Sequence, residues 1–176
     1  CARYAALGYY PNLLNIDPSE AQIRREFTDL RAAGFNLVKV CMFTFPKRFY
    51  EIADETGMLI WQEYPVWWRF PKTDGKAPWD KGPFDHIVRE FGEWYRYGRS
   101  HPSLILRSLT CEASAMNQDL TRQVIELGKS LTGDALIIDN SGGGFHQTYT
   151  DFYDEHIYRE LPDFHDFLPK LAKKLR

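Results

Sequence analysis

Apolar and polar positions alternate between two periods along this chain of 176 residues. Short apolar runs bounded by turn residues read as buried strands, and the stretches between them carry apolar residues at three- and four-residue spacing, the mark of amphipathic helices. Arg3–Tyr10 predicts a first strand, ended by Pro11 and Asn12. Asp17-Pro18-Ser19-Glu20 is a helix-start signal, with Asp17 as N-cap and Pro18 at the first helical position. Ile23, Phe27, Leu30 and Arg31 then follow helical spacing up to Gly34. Phe35–Phe43 predicts the second strand, and Phe49, Ile52 and Ala53 the apolar face of a helix that Gly57 stops. Met58–Trp61 is the third strand and delivers Glu63 at its end.

The loop Tyr64–Gly82 holds Trp67, Trp68 and Trp79 among several Pro and Gly, and loops of this length in compact domains are functional or disordered. So many aromatic residues argue against disorder. Pro83–Ser100 carries Phe84, Ile87, Val88, Phe91, Trp94 and Tyr95 at helical spacing. His101–Glu112 is a fourth strand around Leu104-Ile105-Leu106, and Asp119–Leu131 a helix with Leu120, Val124, Ile125 and Leu127 inward. Ala135–Asp139 is a fifth strand, Phe152–Tyr158 a sixth, and Pro162 opens a last helix. Regular alternation of strand and helix implies an α/β fold with a parallel sheet and crossover helices. About six β/α units can be counted, whereas a closed (β/α)8 TIM barrel needs eight and about 250 residues. An open sheet and most of a barrel both fit this pattern.

Composition adds exclusions. The chain is 44% hydrophobic, enough for one domain with a sizeable core. A net charge of −2 gives no electrostatic case for nucleic acid or an anionic membrane, and no apolar run approaches the roughly 18 residues of a membrane span. Cys1, Cys41 and Cys111 are too few and too scattered for a zinc site or a disulfide framework, and fix no compartment. Starting at Cys1 with neither Met nor signal peptide, the chain reads as a mature product or an excised piece.

The candidate chemistry centres on His101–Ser114, HPSLILRSLTCEAS, which ends its apolar run in Glu112. A carboxylate at the C-terminal end of a strand lies where parallel α/β folds put their chemistry; a loop carboxylate capping the helix near Asn117 is the competing reading. No G-x-S-x-G elbow surrounds Ser114 or any other serine. Gly142-Gly143-Gly144 lacks the Lys-Ser/Thr of a P-loop and the spacing of a dinucleotide fingerprint. No spacing demands a metal, and no cofactor is called for.

Three stretches, LRAAGFNLVK at Leu30–Lys39, FYEIADETGMLIWQE at Phe49–Glu63 and RSHPSLILRSLTCE at Arg99–Glu112, together resemble the catalytic barrel of glycoside hydrolase family 2, the β-galactosidase/β-glucuronidase group. DFYDEHIY at Asp151–Tyr158 resembles its sixth strand more weakly. The resemblance spans nearly the whole chain and implies one TIM-barrel domain over residues 1–176, truncated before the seventh strand, with the remaining domains of a larger parent chain as its partners. It implies a retaining hydrolase of a β-linked carbohydrate, with Glu112 as general acid/base and a nucleophilic Glu on a strand beyond Arg176; the compartment stays open, a bacterial periplasmic or extracellular setting being one that would suit. Glu155, Glu160 and Asp166 are poor nucleophile candidates for that reason.

The resemblance also implies substrate contacts. Glu63 would line the site, as an alternative to a plain salt-bridged carboxylate. His156 and Tyr158 match residues that contact sugar or orient the nucleophile, as an alternative to packing. Trp67, Trp68 and Trp79 could stack on sugar faces or fill the core. Cys111 stands where the family has an Asn that contacts the sugar 2-hydroxyl, and a thiol is a poor hydrogen-bond partner. Arg107 replaces a family Trp, Lys39 an Arg, and Met42 a His, and Lys lacks the bidentate contact of Arg. A barrel that binds carbohydrate without cleaving it, and an unrelated open-sheet α/β enzyme, are the rival readings.

Overall fold

The computed structural model describes residues 4–7, 17–133, 135–142, 149, 151–154, 156, 158, 160, 163, 166, 167, 169, 170 and 173. Five strands form one parallel sheet in sequential order: β1 (Tyr4–Leu7), β2 (Leu37–Val40), β3 (Leu59–Glu63), β4 (Leu104–Cys111) and β5 (Leu136–Ser141). Helices α1 (Glu20–Ala32), α2 (Lys47–Thr56), α3 (Asp85–Gly98) and α4 (Gln118–Thr132) make the connections. In register, Lys39 of β2 lies opposite Trp61 of β3, and Glu63 opposite Ser108 of β4. The fold is α/β and fits part of a TIM barrel.

Local chemistry sets the boundaries. Helix α1 begins later than Asp17 suggested: Ser19 is the N-cap, its hydroxyl accepting from the Gln22 N–H at 3.3 Å. Gly57 ends α2 in the left-handed region, at φ 67°, where a side chain would be strained. Asn117 caps α4 by accepting from the Leu120 N–H at 3.1 Å, so that terminus does not need Glu112. His101 fixes the entry to β4: its Nδ1 lies 2.7 Å from Asp54, whose other oxygen accepts from the Ser103 N–H at 2.9 Å.

Two apolar layers cover the helix side of the sheet. Ile23, Phe27, Phe49 and Ile52 pack against Val38, Val40 and Ile60. Phe91, Trp94, Tyr95, Leu120 and Val124 pack against Leu109 and Ile137. Trp61, Leu37 and Ile138 form a third cluster, with Phe152 against it. The long loop is ordered by buried Asp80, at the end of a short 3-10 helix (Pro78–Asp80), whose carboxylate accepts from the Lys72 and Ala77 N–H groups at 2.8 and 3.0 Å.

The sixth strand expected over Phe152–Tyr158 is not seen in the described residues there, 152–154, 156 and 158; residues 155 and 157 lie outside them. Tyr149 and Asp151 do lie beside β5, with the Asp139 N–H donating to Tyr149 O at 3.2 Å and the Asp151 N–H to Ile137 O at 3.1 Å. Side chains add to this pairing: the carboxylate of Asp151 accepts from the Ile137 N–H at 2.8 Å, and that of Asp139 from the Tyr149 N–H at 2.9 Å. Pro162, expected to open a last helix, also lies outside the described residues, while residues 163, 166, 167, 169, 170 and 173 are helical. The glycines at 143 and 144 and Glu155 are outside as well.

Candidate active site

Strand β4 ends at Cys111, and Glu112 turns sharply with φ 53°. A side chain in that region is uncommon and costs about 1 kcal/mol or more, a cost that concentrates at functional sites. The turn is held on both sides. The Cys111 N–H donates to Val66 O and Cys111 O accepts from the Trp68 N–H, while the Glu112 N–H donates to Ser141 O of β5. Asn140 clasps the next residue: its side chain accepts from the Ala113 N–H at 2.9 Å and donates to Ala113 O at 2.8 Å.

Four donors converge on the Glu112 carboxylate. The indole N–H groups of Trp67 and Trp68 reach Oε2 at 3.0 and 3.4 Å. His156 Nδ1 lies 2.9 Å from Oε1, and the Tyr158 hydroxyl donates to the same oxygen at 3.2 Å. Burial pushes the Glu112 pKa up, but the hydrogen bonds from His156, Trp67 and Trp68 outweigh it, and the group sits below its ordinary value. Trp67 and Trp68 are 53% and 54% exposed, their rings tilted at 5.0 Å, so they face solvent and are not core residues. Trp79 is exposed too, on the 3-10 helix. Tyr158 is 86% exposed and its phenol pKa is raised, chiefly by the Glu112 charge.

Behind Glu112 lies a buried charge cluster. Lys39 is 2% exposed and its ammonium is 3.2 Å from Glu63 Oε1 and 3.9 Å from Asp154 Oδ2. It also donates to the Ser141 hydroxyl and sits 4.3 Å over the Trp61 ring. Glu63 is fully buried, which raises its pKa, with Lys39 opposing. Asp154 accepts from the Ser141 hydroxyl at 2.6 Å and the Gly142 N–H at 3.0 Å. Burial alone would raise its pKa; hydrogen bonds from His156 and Ser141, with the Lys39 charge, bring it down to about 2.

His156 joins the two halves. Its Nε2 is 2.9 Å from Ser141 Oγ and 3.4 Å from Asp154 Oδ2. Its pKa is raised: the hydrogen bond to Asp154 is the largest cause, burial opposes, and Glu112 adds to the rise. The imidazole therefore favours the cation, which can donate from both nitrogens. Gly142 makes room: at φ 93°, a Cβ there would lie 3.1 Å from His156 Nδ1 and 3.3 Å from Glu112 Cγ.

The residues expected at the site from sequence are thus brought together: Glu112, Trp67, Trp68, His156 and Tyr158 in direct contact, and Glu63 through Lys39 and His156. Cys111 adjoins them, but its thiol is buried and its pKa strongly raised by burial and then by Glu63. Asp154 and Ser141 were missed; a D-x-H pair opposite a strand ending in Asn-Ser was the available signal. Arg107 is not at the site. It faces the helices, buried between Tyr50 and Tyr95. Glu160 and Asp166 are exposed. Among the described residues no group of three or more His, Cys, Asp or Glu side chains is placed to hold a metal ion, and no helix is long and apolar enough to cross a membrane.

No family model matches the chain. It is 28% identical over 127 residues to a curated protein of Formosa agariphila named "Putative beta-glucuronidase", a match covering 70% of this chain and 12% of the relative. Among solved structures, a β-glucuronidase of Parabacteroides merdae superposes with a TM-score of 0.67 at 16% identity, covering 89% of this chain and 20% of that one. The exo-chitosanase of Amycolatopsis orientalis does so with a TM-score of 0.64 at 18% identity, covering 80% and 16%. The chain spans about an eighth of the curated relative's length. The neighbours are glycoside hydrolases acting on O-glycosyl bonds, and they support a domain like that of glycoside hydrolase family 2.

Proposed function

We propose that this chain is the catalytic-barrel part of a family 2-like retaining glycoside hydrolase acting on a β-linked carbohydrate, with Glu112 as general acid/base. Residues 1–176 then form one barrel domain of a longer chain, which supplies the nucleophilic carboxylate and the remaining domains. The reading rests on one observation above all: a carboxylate at the tip of a parallel strand, held by Trp67, Trp68, His156 and Tyr158 at a partly open rim.

A retaining mechanism needs two carboxyl groups about 5–5.5 Å apart. One attacks the anomeric carbon; the other protonates the leaving oxygen and then takes a proton from water. In the arrangement seen, Glu112 is held ionised, the form that serves the second step. Protonation for the first step follows when a nucleophilic carboxylate stands beside it, because a like charge raises the pKa. Substrate on the exposed Trp67 and Trp68 rings would exclude water and raise it further. With Cys111 in place of Asn, contact to a sugar 2-hydroxyl falls to other groups. β-Glucuronides and β-glucosaminides, for which the relatives are named, are the first substrates to assay.

The test is Glu112→Ala in the longer chain, assayed on aryl β-glycosides with good and poor leaving groups. Loss of the acid should slow poor leaving groups about 10²- to 10⁴-fold while sparing activated ones, and azide should restore the second step. An equal loss for both leaving groups, unaffected by azide, rejects the role. Sugar binding with no turnover by the unmutated protein rejects the hydrolase.

A further inference from the structure

Away from the rim, at the N-terminal edge of β4 and β5, an open cleft of about 630 Å³ lies between the ends of α3 and α4. That volume falls in the range of small-molecule sites. Arg99, His101 and Arg107 supply its cationic and polar lining, and Leu104, Ile105 and Leu136 are part of its apolar wall. His101 is already engaged by Asp54. The two arginines are not engaged: among the described residues neither has an acidic partner within ion-pair distance.

Arg107 is the stronger observation. It is 2% exposed, its Nε has no hydrogen-bond partner, and the groups acting on it are the phenols of Tyr50 and Tyr95. Tyr95 is itself fully buried with an unpartnered hydroxyl. The guanidinium fits where it does because residue 98 is Gly, whose absent Cβ would sit 3.3 Å from Nη2. Burial lowers its pKa to about 10, which leaves it cationic at neutral pH. A buried guanidinium without a counter-charge is costly, and such groups are ordinarily paired.

We propose that this cleft binds a small oxyanion, a carboxylate or a phosphate, through the fork of Arg107 with Arg99 at its mouth. The planar guanidinium matches such groups in bidentate fashion, and the apolar wall suits an organic body behind the charged head. The site is independent of the hydrolase reading.

Thermal unfolding of the full-length protein in benzoate, inorganic phosphate and chloride at equal ionic strength tests it. Benzoate or phosphate should raise the unfolding temperature saturably, and chloride should not; which of the two binds tighter identifies the source. Arg107→Met should weaken that binding about tenfold or more, the worth of a charge-assisted hydrogen bond. Replacing a buried charge by an apolar side chain is tolerated by many folds. If this variant does not fold, exposed Arg99→Gln should weaken binding severalfold. No saturable effect, an equal effect of chloride, or unchanged affinity in either folded variant overturns the proposal.

Discussion

Replacing Lys39 by Met probes the charge cluster behind Glu112 directly. The ammonium stands 3.2 Å from Glu63 and 3.9 Å from Asp154, and neither Lys39 nor Glu63 is reached by solvent to any extent. Methionine fills similar volume, so the change removes charge more than packing. Breaking a buried pair by removing one partner costs about 3–5 kcal/mol, because the surviving charge stays buried without compensation. For a domain of this size that corresponds to a fall of roughly 6–20 °C in Tm. The loss should depend on pH, with a definite sign. Burial already raises the folded pKa of Glu63 above its ordinary 4.5, and Lys39 restrains the rise. Without Lys39 the folded state binds a proton more readily than the unfolded state, so stability falls as pH rises above that value. Urea unfolding should therefore show the variant hurt more at about pH 8 than at about pH 5. Adding Glu63→Gln should recover part of the loss, since it removes the orphaned charge. A cost under about 1 kcal/mol at the higher pH, of the size of an exposed pair, would refute the reasoning, and so would simple additivity in the double variant.

Two further outcomes can be checked. Trp67→Phe removes the 3.0 Å indole bond to Glu112 and Trp68→Phe the weaker one at 3.4 Å. Both should raise the Glu112 pKa, Trp67→Phe by more, as read by carboxyl-carbon NMR titration; an unchanged or lowered pKa in Trp67→Phe contradicts the assignment. Gly128→Ala would place a Cβ 2.4 Å from the Tyr95 ring and 2.7 Å from Ile137 Cδ1, and such overpacking costs about 1–3 kcal/mol in urea unfolding.

Much of the framework was legible because its signals are local. Gly34 and Gly57 mark helix ends where the backbone turns left-handed, and the apolar runs of β2 to β5 stand clear of their polar flanks. Glu112 could be placed at a strand tip by counting along the run before it. What was not legible involves contacts far apart in sequence. Ser141 and Asp154 matter through Lys39, about a hundred residues away, and the local Asn-Ser and D-x-H pattern does not name that partner. Lys39 read as a weakened arginine, whereas its buried ammonium serves two carboxylates at once. Trp67 and Trp68 were ambiguous because an indole is both a large apolar surface and an N–H donor. Arg107 read as a change at the site because a strand buried on both faces hides which way each side chain points.

The sequential strand order bears on how the molecule is made. Each β-strand joins the edge left by its predecessor, so a chain leaving the ribosome from its N-terminus can lay down the sheet in the order in which it is synthesised. The charge cluster behaves differently: its members are spread from residue 39 to residue 156, and Asp154 and His156 arrive last. Until then Lys39 lacks its second carboxylate, and Glu112 lacks its imidazole. The sheet is thus in place before the cluster at its rim is complete, and a polypeptide stalled partway carries Glu112 without the imidazole that holds it.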